Sequence, residues 1–346
     1  MDKRTYLVLL FGGRSAEHDV SCISARHVAA AINRDQFKVI AVGITRSGDW
    51  LLADVGDPLG DQLVAEGPQI SPAEVFAKPN SVLFPLIHGP LGEDGTLQGL
   101  LEIADKTYVG SGVLSSALCM DKAMTKLVCA HHGLPQCRYH TVSAHEDAAA
   151  AADRAIAKLG LPLFIKPANM GSSVGISRAA NTQETTQAIQ HAARYDQMLL
   201  IEEAVVGREI EVAILGNEQP QASGPGEVVP GETFYSYTDK YLSNKATLRI
   251  PAEIPQDVTT EVRRLALEAY KVLRCEGMAR VDFFYEENKR GLLLNEVNTI
   301  PGFTPISMYP KLWQEAGMDY PQLIETLIDL AIERAQLRCQ HRNLRL

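Results

Sequence analysis

An α/β fold, α+β over the whole chain, is what the sequence predicts, and three observations carry that expectation. The 346 residues exceed one ordinary domain and point to two or three. Strand-like and helix-like segments alternate through the first third, which implies a parallel sheet with helical crossovers. Beyond Gly160 strand-like runs follow one another closely, which implies a small antiparallel sheet.

The elements read in order as follows. Tyr6–Phe11 is a continuous apolar run that ends in Gly12-Gly13, the pattern of a buried first strand. It is too short for a signal peptide and lacks a small-residue cleavage site. Val20, Ile23, His27 and Ala31 keep a helical spacing, and Lys38–Thr45 and Val82–Ile87 are further strands. Turn glycines follow at Gly89, Gly92 and Gly95, then across Thr107–Gly112. Met120–Gly133 reads as a helix ending at glycine, and Ala144–Leu159 as a second, alanine-rich one. Leu163–Ile165, Val174–Ser177, Met198–Ile201 and Glu209–Leu215 are the strands of the small sheet. Gly224–Lys245 holds turn formers and aromatics without a period, as a long functional loop does. Val258, Val262, Leu265, Ala269 and Val272 mark an amphipathic helix. Gly277–Tyr285 and Gly291–Val297 form a hairpin of buried strands, and a last helix runs from Pro321 to Arg334.

Composition narrows the function. Hydrophobic residues are 46% and charged residues 22%, enough apolar material for a core in each domain. Lys and Arg number 33 against 42 Asp and Glu, a net charge of −9. That balance, with no basic run, argues against general nucleic-acid or anionic-membrane binding. No stretch reaches the ~18 apolar residues of a membrane span. The six cysteines include no CxxC pair, as expected of free thiols in a reducing compartment, so a cytoplasmic protein is expected.

Five groups could carry chemistry. In the hairpin, Arg280 and Asp282 share one face, and so do Glu296 and Asn298. With the turn centred near Lys289, Asp282 lies opposite Glu296 and Arg280 opposite Asn298. Two carboxylates and an Asn carbonyl make a hard oxygen set suited to Mg²⁺ carried by phosphates, while Arg280 simply pairing the acids is the bland alternative. The loop Lys166-Pro167-Ala168-Asn169-Met170-Gly171-Ser172-Ser173 offers amides, hydroxyls and a lysine to phosphates but is no Walker A loop. Ile201-Glu202-Glu203-Ala204-Val205, followed by Glu209 and Glu211, could pair an adenine edge and a ribose; a solvated strand end is the equal alternative. Phe234–Tyr241, with three tyrosines and Lys240, suggests a water-excluding lid. Gly12–His18 and His88–Gly95 follow strands at the ligand-binding end of a parallel sheet, without a GxGxxG.

The order of these motifs resembles the D-alanine–D-alanine ligases of the ATP-grasp superfamily. The matching stretches are GGRSAEHDVS at Gly12–Ser21, HGPLGEDGTLQG at His88–Gly99, MDK at Met120–Lys122 and KPANMGSSVG at Lys166–Gly175. They continue with FYSYTDKY at Phe234–Tyr241, ARVDFF at Ala279–Phe284 and NEVNTIPGFTPISMYP at Asn295–Pro310. The resemblance implies an ATP-grasp fold preceded by a Rossmann-like N-terminal domain, divided as 1–120, 121–217 and 218–346. It implies ATP and two Mg²⁺ ions, with Mn²⁺ able to substitute, and D-alanine as the other substrate. A homodimer is implied by the resemblance alone.

The resemblance also implies roles. Asp282, Glu296 and Asn298 match metal ligands. Lys122, Lys166, Ser172 and Ser173 match the phosphate site, Glu202, Glu203, Ala204 and Val205 the adenine strand, and Glu209 the ribose carboxylate. Lys240 matches a lid lysine. Glu17, with His88 nearby, matches the acid that fixes the amino group of the first D-alanine. Glu17, Ser172 and Tyr241 match a hydrogen-bonded trio that shuts the lid. Arg280 and the Gly302 amide match oxyanion stabilisers, and Ser307 and Met308 the carboxylate site of the second D-alanine. Tyr241 favours an amine acceptor. A D-lactate or D-serine acceptor, or an ATP-binding sensor without turnover, are the competing readings.

Overall fold

The computed structural model describes residues 4–56, 59–229 and 247–343. The expected lid at Phe234–Tyr241, with Lys240 and Tyr241, lies outside them. Three sheets organise the chain. The first contains β1 (Thr5–Gly12), β2 (Phe37–Ile44), β3 (Trp50–Ala53), β4 (Ser81–Pro85) and β5 (Thr107–Tyr108) in the order β3-β2-β1-β4-β5. All neighbours are parallel except the edge pair β2–β3, and helix α1 (His18–Ala31) packs on β1. Every residue from Leu7 to Phe11 is fully buried, as the unbroken apolar run requires for a strand covered on both faces.

Four helices complete this first part. These are α2 (Pro72–Phe76), α3 (Thr96–Ile103), α4 (Val113–Met120) and α5 (Lys122–His131). The helix expected over Met120–Gly133 is α5, two residues shorter at each end, and α4, which the sequence pattern did not mark, stops just before it at Asp121. Its carboxylate accepts from the amides of Ala123 and Met124, capping the start of α5 and ending α4.

The second sheet has the order β6-β9-β7-β8, from Tyr139–Ser143, Met198–Glu203, Leu163–Pro167 and Ser177–Ala179. Helices α6 (Ala148–Leu159) and α7 (Thr182–Ala192) cover it through small side chains such as Ala151, Ala155, Ala188 and Ala192. The third sheet, also antiparallel, has the order β12-β11-β10-β13-β14, from Thr247–Arg249, Gln221–Val229, Arg208–Gly216, Gly277–Glu286 and Gly291–Asn298. Helix α8 (Gln256–Val272) packs on one face; α9 (Met308–Glu315) and α10 (Tyr320–Asn343) lie towards the other and towards the first sheet.

The strand expected at Glu209–Leu215 belongs to this third sheet and not to the small one, so the 217/218 boundary does not follow the sheets. The reason is its alternation: Ile210, Val212 and Ile214 enter the core under α8, while Ala213 and Leu215 enter the core shared with the first sheet. Both faces are apolar, and the small second sheet has a core on one side only. Pairing with β13 along Arg208–Gly216 satisfies both faces at once.

Candidate active site

A cavity of about 710 Å³ opens between the second and third sheets and is closed at one end by loops of the first. It gathers Glu17, His88, Lys122, Lys166, Ser172, Ser173, Glu202–Val205, Glu209, Arg280, Asp282, Glu296, Asn298 and Gly302. These residues lie far apart in sequence, and the three sheets bring them to one hollow.

The hairpin has the register read from the sequence: Asp282 pairs with Glu296 and Arg280 with Asn298. It reaches that register through a bulge. Phe283 pairs with Leu294 and Asp282 with Glu296, so Asn295 is the extra residue. The bulge breaks the alternation of β14, so Leu294 enters the core while Glu296 lines the cavity. Arg280 grips Asp282 with two nitrogens, Nε at 2.8 Å and Nη2 at 2.7 Å, and Asn298 Nδ2 donates to the same carboxylate at 3.0 Å. Arg280 Nε also lies 2.9 Å from Glu211, the cross-strand neighbour of Asp282. Burial disfavours the charged guanidinium, but Asp282 and Glu211 outweigh it and hold its pKa above the usual range. No cluster of three or more His, Cys, Asp or Glu side chains at metal-ligating separation occurs among the described residues. The donor set here is two carboxylates and an amide, which fits a hard divalent ion that shares its shell with phosphate.

At the other end lies a second charged cluster. Glu202 on β9 is 3% exposed and meets Lys126 at 2.7 Å and Lys166 at 2.5 Å. Burial would raise its pKa, but the two ammonium groups outweigh burial and hold it well below the carboxylate range. Glu203, the next residue, faces the opposite way and pairs with Arg138 at 2.8 Å and with Arg290. Its side chain is therefore committed to surface arginines, and only the strand backbone there remains for an adenine edge.

The 166–173 loop closes over Glu17 of the first sheet. Ser172 Oγ donates to Glu17, which supplies two members of the expected trio. Ser172 and Ser173 hold positive φ values of 50° and 60°, a left-handed turn costing on the order of 1–2 kcal/mol per residue. Gly171 leaves room beside them for the Glu17 carboxylate, which a Cβ at 2.7 Å would push aside. Lys122 Nζ donates to the Met170 carbonyl at 2.6 Å and braces the same loop. His88 is held through Nδ1 by the Ile300 carbonyl at 3.1 Å and through Nε2 by Ser24 at 3.3 Å. Burial lowers its pKa despite nearby Glu17, so the ring is neutral at ordinary pH.

Ser307 and Met308 sit differently. Ser307 Oγ accepts from the Thr304 amide at 3.0 Å, close behind Gly302. The Met308 side chain is buried in the core against Gly226, its amide lies in the first turn of α9, and neither it nor Ser307 lines the cavity. Two residues, Lys126 and Glu93, were not assigned from the sequence, and Glu211, named there with the nucleotide strand, pairs with Arg280 instead. Lys126 shares a face with Lys122, four residues earlier, and that spacing was the available signal. Glu211 alternates with Glu209 on β10. Glu93 accepts from the Gly89 amide at 2.6 Å, and burial, reinforced by Glu17, pushes its pKa well above the usual value. Nothing in its local sequence marks this half-buried position.

Comparison with known proteins decides the family. The chain matches the family model "D-ala D-ala ligase N-terminus" over residues 6–111 and "D-ala D-ala ligase C-terminus" over 128–329.

The chain belongs to the D-alanine–D-alanine ligase family.

A relative from Thermoanaerobacter sp. (strain X514), a D-alanine–D-alanine ligase, is 46% identical over 98% of this chain and 99% of its own. The solved D-alanine–D-alanine ligase of Coxiella burnetii superposes with a TM-score of 0.85 at 35% identity, covering all of both chains. VanG, a D-Ala:D-Ser ligase from Enterococcus faecalis, superposes with a TM-score of 0.81 at 33% identity over 95% of this chain and 100% of its own. The architecture is thus that of the ATP-grasp ligases, with the parallel N-terminal sheet in front.

Proposed function

We propose that the protein joins two D-alanines to D-Ala–D-Ala with ATP, through a D-alanyl phosphate, for peptidoglycan precursor synthesis. The observation that carries this reading is the single cavity in which Lys122, Lys166 and Glu202 face Arg280, Asp282, Glu296 and Asn298. The γ-phosphoryl group passes to the carboxylate of the first D-alanine. The amine of the second then attacks the acyl carbon, phosphate leaves, and the amine loses its proton. The protein contributes position and charge more than covalent chemistry, so no Ser or Cys nucleophile is needed.

Glu17 orients the ammonium of the first D-alanine, with neutral His88 beside it. Lys122, Lys166 and the amides at Ser172 and Ser173 hold phosphate, the 202–205 strand takes adenine, and Glu209 takes ribose. Asp282, Glu296 and Asn298 would hold Mg²⁺, which when bound offsets phosphate charge. Arg280 and the Gly302 amide stabilise the tetrahedral oxyanion, worth about 3 kcal/mol per donor. Ser307 and the Met308 amide receive the second carboxylate. Lys240 and Tyr241 close the lid and favour an amine acceptor. The domain division is into 1–120, a small nucleotide domain, and a C-terminal domain that begins with β10.

A homodimer in the cytoplasm completes the reading. Leu100 and Ile103 on α3, and Val113 and Leu114 on α4, are exposed and support a partner surface that the sequence pattern did not declare. No described helix is long and apolar enough to cross a membrane.

The test mixes purified protein with ATP, Mg²⁺ and D-alanine and measures phosphate and dipeptide together. Parallel reactions contain L-alanine, or D-alanine with D-lactate or D-serine. Equal phosphate and D-Ala–D-Ala, with none from L-alanine, is expected. Preferential incorporation of D-serine or D-lactate would replace the acceptor, and ATP binding with no phosphate in any reaction would favour the sensor reading.

A further inference from the structure

We propose that Lys126 is a positioning residue of the nucleotide site: it is the standing counter-ion of Glu202, and it thereby leaves the Lys166 ammonium available to phosphate. The inference rests on the reading of this cavity as an ATP site.

Glu202 offers one oxygen to each lysine, Oε1 to Lys126 at 2.7 Å and Oε2 to Lys166 at 2.5 Å. The two lysines differ in reach. Lys166 lines the cavity, and Lys126 does not. Lys126 is 1% exposed, with Cys137 Sγ at 3.4 Å and the Tyr139 ring centroid at 5.5 Å. Gln136 Nε2 ties its carbonyl down at 3.0 Å. A ligand therefore meets Lys166 directly and feels Lys126 only through Glu202.

A buried carboxylate left with one ammonium partner retains that partner strongly, because separating them leaves an uncompensated buried charge. A second ammonium removes that penalty. With Lys126 in place, Lys166 can turn to a phosphate oxygen while Glu202 stays neutralised. Helix α5 thus serves the nucleotide twice: Lys122 braces the phosphate loop, and Lys126, one turn later on the same face, fixes the charge state behind it.

The test uses the full chain, with ADP and adenosine titrated by calorimetry in EDTA. For Lys126→Met, ADP affinity should fall about tenfold or more, the loss of one charged hydrogen bond, while adenosine changes much less. KM for ATP should rise and KM for D-alanine should not. Lys126→Arg should keep the ADP-to-adenosine affinity ratio of the wild type. Parallel loss of ADP and adenosine affinity, or unchanged ADP affinity, overturns the proposal. If Lys126→Met does not fold, Lys126→Met with Glu202→Gln removes the competing pair together. That double variant should show an ADP-to-adenosine ratio at or above wild type, and a lowered ratio overturns the proposal. A wild-type protein that binds neither ligand removes the ATP-site reading itself, before Lys126 is at issue.

Discussion

Among the described residues, the two ends of the cavity are lined by different charges. On the second-sheet side, Lys126 and Lys166 face the single carboxylate of Glu202. On the hairpin side, Arg280 pairs with Glu211 and Asp282, and Glu296 lies within its electrostatic reach. Each cluster contains ion pairs, with lysines prominent at one end and carboxylates at the other. Ammonium groups suit the phosphates of a nucleotide, and carboxylates suit a divalent cation.

Breaking the acidic end should have the largest effect. Glu296→Gln should lower D-alanine-dependent phosphate release by on the order of 10³, comparable to removing other charge stabilisers of phosphoryl transfer. Its thermal midpoint should stay close to wild type, because Glu296 is only half buried. Normal turnover in this variant would remove Glu296 from the site.

A second comparison sharpens the basic end within one dipeptide. Glu202→Gln leaves two buried ammonium groups short of a counter-charge and should cost about 3–5 kcal/mol in urea unfolding. Glu203→Gln loses pairs with exposed arginines and should cost under about 1 kcal/mol. Equal losses would mean that the two glutamates do not face opposite ways.

Smaller effects are expected where the first sheet meets the cavity. Folded His88 has a pKa below 6.5, so below that pH the unfolded chain takes up a proton that the folded chain refuses. Its contribution is intact above pH 6.5 and is lost as pH falls, and His88→Gln should flatten that acid limb in urea midpoints. Glu93 has the opposite sign. Its folded pKa lies above 4.5, so stability falls as pH rises through 4.5 towards the folded value. Glu93→Gln retains an acceptor for the Gly89 amide and should be neutral or slightly stabilising at neutral pH. A clear loss of stability there would mean that Glu93 is ionised in the folded protein.

Much of this site was legible because β-strand periodicity is short and strict. Arg280, Asp282, Glu296 and Asn298 could be placed on one hairpin surface from spacing alone, although the Asn295 bulge that makes the register work left no signature. The family motifs supplied what spacing could not, namely that loops after β1 and β4 join the same hollow as β7 and β9. Residues acting through burial were missed. Lys126 and Glu93 look like ordinary charged residues in sequence, and only the packing of α5 on β9 takes Lys126 out of water and that of the 89–95 turn beside Glu17 half-buries Glu93. The misplacement of β10 had a similar cause. Two apolar faces mark a central strand, but they do not say which sheet it enters.

The most direct test of the two-ended account is an ADP titration of wild type and Glu296→Gln, each in EDTA and in Mg²⁺. The account predicts the same affinity for both proteins in EDTA, with tightening by Mg²⁺ in the wild type alone. Equal tightening in both, or loss of ADP binding by the variant in EDTA, would contradict it.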